Sequence, residues 1–274
     1  MTPVREVFVV RGIKESRTIQ RGKTLKIFAG LGLALTLTGC LSAQTPQMAQ
    51  VPTNDGNVGV LNVADAAIAG NDPQMALQVT QSVLTNNPRD VQALYHEGAA
   101  YYAMNRCEDA IAAYQQALKI DPSSSEAETG IGRCLLQRNA AEAELTFTKA
   151  VQDDPRNAAA QNDLGVARDL QGNYAGAIAP YKQALLLAPG VISTEVNLGL
   201  SLALSGDGGD ALQYLGPLAT GPEATPKIRE DYAAALVAAG RQDEARQVLS
   251  IDLPPDQATA LLAAFTNVIA NKRH

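Results

Sequence analysis

Residues 91–124 read VQALYHEGAAYYAMNRCEDAIAAYQQALKIDPSS, and Gly98, Ala110, Tyr114 and Pro122 in this stretch mark positions that return along the chain. The alanine recurs as Ala76, Ala110, Ala143, Ala177, Ala211 and Ala245, at spacings of 34, 33, 34, 34 and 34 residues. A small residue precedes each one, as Ala64, Gly98, Gly132, Gly165, Gly199 and Ala233; the interval is 12 residues throughout except in the third unit, which is one residue short near Arg138. Four positions after the alanine come Tyr114, Phe147, Tyr181, Leu215 and Leu249, and twelve after it Pro88, Pro122, Pro155 and Pro189. Proline stops a helix and opens the next turn. Asn105, Gly172, Gly206 and Gly240 fall midway, where a turn often needs positive φ. The columns predict pairs of helices repeated along the chain. Small residues let the two helices of a pair approach, and the larger side chains fill the space between repeats.

Small, aromatic and proline columns at this period resemble the tetratricopeptide-repeat (TPR) pattern. The expected fold is all-α, a TPR solenoid: a right-handed superhelix of about six hairpins over 57–90, 91–124, 125–157, 158–191, 192–225 and 226–253. The amphipathic segment 256–271, opened by Asp256 as an N-cap, is expected to close the 57–271 domain as a capping helix.

Composition agrees. The 274 residues include no tryptophan and only 4% aromatics, a balance that suits a small-residue helical stack. Of 22 basic and 28 acidic side chains, seven and two respectively precede Cys40, which leaves the remainder at −11. An acidic body without a basic stripe is repelled by phosphate backbones, so no nucleic-acid partner is expected.

The basic residues before Cys40 end at Lys26, and an apolar run from Ile27 to Leu37 leads into Leu37-Thr38-Gly39-Cys40. This reads as a lipoprotein signal peptide, 1–39, with a lipobox. The run is about half the roughly 20 residues that span a bilayer as a helix. Cys40 is the expected lipidation site, carrying diacylglycerol on sulfur and an acyl chain on its freed amine, which anchors the chain stably to a membrane. Leu41 and Ser42 follow it instead of the aspartate that retains such proteins at the inner membrane, so the expected location is the outer membrane, periplasmic face. Residues 40–56, rich in Gln, Pro, Thr and Ala, read as a lipidated flexible tether.

No catalytic constellation emerges. His96 and His274 stand far apart without a metal-ligand spacing, and no G-x-S-x-G, Walker or Rossmann pattern occurs. Gly206-Asp207-Gly208-Gly209-Asp210 falls on the turn of the fifth hairpin and reads as a turn. Neither enzyme activity, cofactor, metal nor small-molecule substrate is expected. Cys107 and Cys134 fall at neighbouring helix ends of such a stack. They are either a disulfide, worth roughly 3 kcal/mol in an oxidising compartment, or two buried thiols.

In stacked TPR hairpins the first helix of each pair lines the inner wall. That register assigns a partner-binding groove to Tyr95, Ala99, Tyr102, Thr129, Arg133, Asn162, Val166, Asp169, Val196 and Leu200, largely apolar with scattered polar anchors. Such a surface suits an amphipathic helix or an extended apolar peptide. TPR domains that clamp a C-terminal carboxylate carry Lys/Arg and Asn where this chain has Tyr95, Ala99 and Thr129, which disfavours that mode.

The lipobox, the repeats and the C-terminal third together resemble the TadD-like TPR lipoproteins of tight-adherence (Tad/Flp) pilus assembly. The likeness is carried by NLGLSLALSGDGGDALQYLGPLA at 197–219, ATPKIREDYAAALVAAGRQDEARQVLSIDL at 224–253, the link through Pro226 and Arg229, and the Asp252-Leu253 exit. It implies a pilotin-like scaffold that binds a secretin or other pilus-assembly proteins. A second expectation is a periplasmic adaptor for an envelope protease or peptidoglycan hydrolase.

Overall fold

The computed structural model describes residues 55–272. They form six helical hairpins and one further helix, and no strand among the described residues. The hairpins pair α1 (Asp55–Ala69) with α2 (Pro73–Asn86), α3 (Val91–Ala103) with α4 (Cys107–Ile120), and α5 (Ser125–Leu136) with α6 (Ala140–Asp153). They continue with α7 (Ala158–Leu170) and α8 (Tyr174–Leu187), α9 (Ile192–Ser205) and α10 (Gly208–Thr220), and α11 (Pro226–Ala238) and α12 (Gln242–Leu249). The last helix is α13 (Pro255–Lys272). The expected signal peptide (1–39), the expected lipidation site Cys40 and the expected tether up to residue 54 lie outside the described residues.

Helix starts are set locally. Asp72, Asp90, Ser124, Asn139, Asn157, Asn173, Asp207 and Thr225 each accept a hydrogen bond from a backbone N–H in the first turn of the following helix. Each such cap satisfies a donor that the helix itself leaves free. Inside four of the hairpins the chain reverses through a left-handed residue, at Asn105, Gly172, Gly206 and Gly240, and Asn71 does the same in the first. The third hairpin differs: α5 is one residue shorter than α3 and α7, and no residue between α5 and α6 has positive φ. The missing residue is absorbed in the helix end.

Packing explains the columns. All six column alanines, from Ala76 to Ala245, are completely buried. A Cβ added at Gly98 would stand 2.5 Å from the Tyr114 ring, at Gly132 2.5 Å from Phe147, at Gly165 2.6 Å from Tyr181, and at Gly199 2.5 Å from Leu215. The glycine of the first helix is therefore the seat of the large residue on the second helix of the same hairpin. Sequence reasoning placed these large residues between repeats. Tyr114 also reaches across, since a Cβ on Gly130 of the next hairpin would meet its ring, and Phe147, Tyr181 and Leu215 belong to one buried cluster that runs on through the following hairpins. The first and sixth hairpins carry Ala64 and Ala233 in the glycine column, opposite the smaller Thr80 and Leu249.

Consecutive first helices pack on one another, whereas consecutive second helices barely meet, if at all, among the described residues. The stack thus curves with the first helices inside. Gly208 supports this geometry at its C-terminal end: a Cβ there would lie 2.2 Å from the backbone nitrogen of Ala239, so only glycine lets α10 begin against the end of α11. In the string 206–210, Gly206 at φ 99° and Asp207 form the turn, Asp207 accepts from the Asp210 N–H, and Gly208–Asp210 already belong to the first turn of α10.

Candidate partner-binding wall

The inner wall is built by α3, α5, α7, α9 and α11, and its residues divide into two kinds. Toward the N-terminal end, Tyr95, Ala99 and Tyr102 on α3 are half-buried and keep part of their surface open. The Tyr95 ring stacks at a tilt on Tyr114, with centroids 6.0 Å apart, and meets His96 edge-on. Arg133 on α5 faces this aromatic group and is paired through Nε, at 2.5 Å, with the buried Asp163 carboxylate on α7.

From α5 onward the wall is bound together by polar rungs between hairpins. Asn157 donates through Nδ2 to the hydroxyls of Ser125 at 2.9 Å and Thr129 at 3.4 Å, and Ser125 donates to the Ala150 carbonyl at 2.8 Å. Asn162 donates to Asp163 at 3.0 Å, and its own Oδ1 accepts from Thr194 at 3.1 Å. Asp169 accepts from Tyr181 at 2.8 Å and from Ser201 on the next hairpin. Its burial lifts the carboxyl to about 7, against the two hydroxyls that favour its charged form.

These contacts revise the groove read from register. Thr129, Val166 and Leu200 are buried, so they hold the stack together and present little to a partner. Arg133, Asn162 and Asp169 spend their polar atoms on neighbouring hairpins. Val196 is half-buried. What stays accessible is the face around Tyr95, Ala99 and Tyr102, with the edges of Arg133 and Asn162. Register reasoning missed Asp163, Thr194 and Ser201, because the register names positions that face inward and not the partners they find across a repeat. A spacing of 32 residues in Ser125/Asn157, Asn162/Thr194 and Asp169/Ser201 is the signal that would have found the rungs.

Cys107 and Cys134 are both free thiols, within hydrogen-bonding reach of each other. Burial pushes the Cys134 thiol up, and the contact with Cys107 pushes it the same way. His96 bridges hairpins, donating through Nδ1 to the Gln92 carbonyl at 2.6 Å and meeting Asp65 of α1 at 3.1 Å. Burial works against its charge, but Asp65, the carbonyl and Asp90 outweigh it and raise its pKa. Among the described residues, no three His, Cys, Asp or Glu side chains gather as a metal site, and no helix is long and apolar enough to cross a membrane.

The tetratricopeptide-repeat model matches three overlapping windows of the chain, residues 61–125, 95–155 and 135–191. The fold is a TPR solenoid. Among curated proteins, the DnaJ homolog subfamily C member 7 homolog of Schizosaccharomyces pombe is 30% identical over 140 residues, covering 51% of this chain and 25% of its own. The chain spans a quarter or less of the length of the curated relatives it matches. Among solved structures, PilW, described as a widely conserved type IV pilus biogenesis factor, superposes with a TM-score of 0.60 at 23% identity, covering 73% of this chain and 94% of PilW. Pseudomonas aeruginosa PilF gives 0.61 at 17% identity, covering 71% and 89%. At these identities the likeness is one of fold.

Proposed function

We propose that this chain is a scaffold that receives a protein partner on the inner wall of hairpins two to four and acts in assembling a pilus or secretion channel of the tight-adherence type. The single observation that carries the scaffold reading is the wall itself: Tyr95, Ala99 and Tyr102 remain half-open while Arg133 and Asn162, further along the wall, are bonded between hairpins. A partly exposed aromatic face on a rigid frame holds apolar groups of a partner at low entropic cost. The pilus setting is supported by the C-terminal third at 197–219 and 224–253 and by the shared fold of PilW. The lipobox supports an outer-membrane anchor through Cys40, facing the periplasm.

Three experiments test this. Deleting the chain should deplete secretin multimers at the outer membrane, and unchanged multimers would end the channel-assembly reading. The pair Tyr95→Ala and Tyr102→Ala should weaken secretin capture by the lipid-free protein at least about tenfold, roughly 1.4 kcal/mol, while its melting curve keeps one transition. Metabolic labelling with palmitate should mark the wild type and not Cys40→Ser. An unlabelled wild type removes the anchor.

A further inference from the structure

The first helices form the inner wall, so a helix lying on two of them at the end of the stack lies across the groove. α13 contacts α9 and α11, the first helices of hairpins five and six, as well as α12. Another first helix stacked at the end would meet α11 and α12 alone, as α11 meets α9 and α10. Instead, α13 folds back over the inner face.

Its recognition surface is a stripe. Ala258, Leu262, Phe265 and Ile269, spaced by 4, 3 and 4 residues on one helical face, are buried in one cluster with Leu198, Leu200, Leu202 and Leu204 of α9 and Ala234, Val237 and Ala238 of α11. The helices beneath record the cover. Residues 198–204 of α9 are buried without a break, as are 233–238 of α11. These runs are the longest: α7, which is not among the helices that α13 packs on, is buried without a break only over 163–167, and on α3, which no described helix covers in this way, Tyr95, Ala99 and Tyr102 stay half-open. Leu200, assigned to the groove by register, is buried and belongs to this same cluster.

The attachment is thin. Among residues 255–271 of α13, four are buried, against eight of 14 in α9. Residues 250–254 join it to α12, with Ile251 66% exposed. Arg229 holds this connection, gripping both oxygens of Asp252 at 2.5 and 2.7 Å. Elements with few buried apolar residues open at lower free energy than the body they rest on.

We infer that the inner face of hairpins five and six is a receptor for an amphipathic helix bearing a small, leucine, aromatic and β-branched stripe, and that residues 255–272 are its resident, displaceable ligand. A partner helix with the same stripe enters that half of the groove by displacing α13, so its apparent affinity is lowered by the fraction of chains in which α13 is seated. This rests on the reading of the inner wall as the partner surface, and it adds a second subsite whose access the chain itself controls.

The test uses the full chain and a fluorescent peptide of sequence 255–272. Ala260→Gly and Ala263→Gly sit on the exposed side of α13 and loosen the helix by roughly fivefold each without touching the stripe. The double variant should bind the peptide at least about tenfold tighter than the wild type does. A peptide with Leu262→Asp and Phe265→Asp should not bind either protein. Equal binding to wild type and variant, or equal binding of the Asp peptide, overturns the inference. Hydrogen exchange on the wild type is the second measurement. Amides of α13 should exchange faster than those of α9 and α11, and exchange of all three only with global unfolding also overturns it. A dimer in which α13 is traded between copies supports the receptor, because the stripe is then bound in trans. None of these readouts involves a secretin, so their failure leaves the depletion experiment standing on its own.

Discussion

The Ser201 hydroxyl lies 2.8 and 2.7 Å from the two carboxylate oxygens of Asp169, one hairpin away, and donates to them. With the Tyr181 hydroxyl on the same carboxylate, it ties hairpins four and five through a buried acid whose pKa has risen to about 7.

That acid sets a pH dependence. Asp169 at about 7, Asp231 at about 6, Glu97 and His96 all bind protons more tightly in the folded chain than in the unfolded one. Their contribution is complete below the unfolded values and is lost as pH rises through the folded ones. Glu144, held down by Arg168 and Gln171 against its desolvation, acts in the opposite sense and loses its contribution as pH falls through its lowered value. Stability in urea should therefore peak near pH 4 and fall by on the order of several kcal/mol by pH 8. Asp169→Asn should flatten the slope between pH 5 and 7. An unchanged slope in that variant would show that the acid is ionised in the fold.

The glycine seats predict a strict size limit. Gly132→Ala would place a methyl group 2.5 Å from the Phe147 ring and should cost about 1–3 kcal/mol. Adding Phe147→Leu should recover about 1 kcal/mol relative to the sum of the single changes, reproducing the natural Ala233 and Leu249 pairing of the sixth hairpin. Additive costs in a double-mutant cycle would disprove the seat.

Arg133 neutralises Asp163, whose side chain is 5% exposed. Removing the guanidinium leaves that carboxylate with Asn162 alone, so Arg133→Ala should lose roughly 3 kcal/mol in urea titrations. Asp163→Asn in the same chain should restore part of it. If the single variant is as stable as the wild type, the pair contributes nothing and the rung is held by the amides.

Cys107 and Cys134 should close under diamide, which takes two electrons and two protons from the thiols and becomes its hydrazine as one S–S bond forms. The bond should raise stability by roughly 3 kcal/mol, reversed by dithiothreitol. Because burial and the neighbouring thiol hold Cys134 protonated, closure should be slow at pH 7 and faster above pH 8. Mass mapping after oxidation checks this, and intermolecular bonds alone would exclude the intramolecular pair.

The helical class was written in the sequence because each repeat is a local event. A capped helix, a left-handed turn residue and a second helix close on one another within one period, so alanine and glycine columns identify them without knowledge of the rest of the chain. Even the shortened third unit near Arg138 showed itself in the spacing. The inner wall was less legible. The register put Tyr95, Ala99 and Tyr102 on a face that is half-open, yet it put Val166 and Leu200 on the same footing, although one is packed away and the other lies beneath a helix.

Sequence alone determined that small residues recur every turn of the stack and that paired helices must follow, since contacts between near neighbours depend on period only. Tertiary structure alone decided which carboxylate meets which hydroxyl, that Arg229 grips Asp252 across 23 residues, and that the last helix turns back over hairpins five and six. Those outcomes depend on the accumulated curvature of the stack, a sum over many junctions that no single repeat contains.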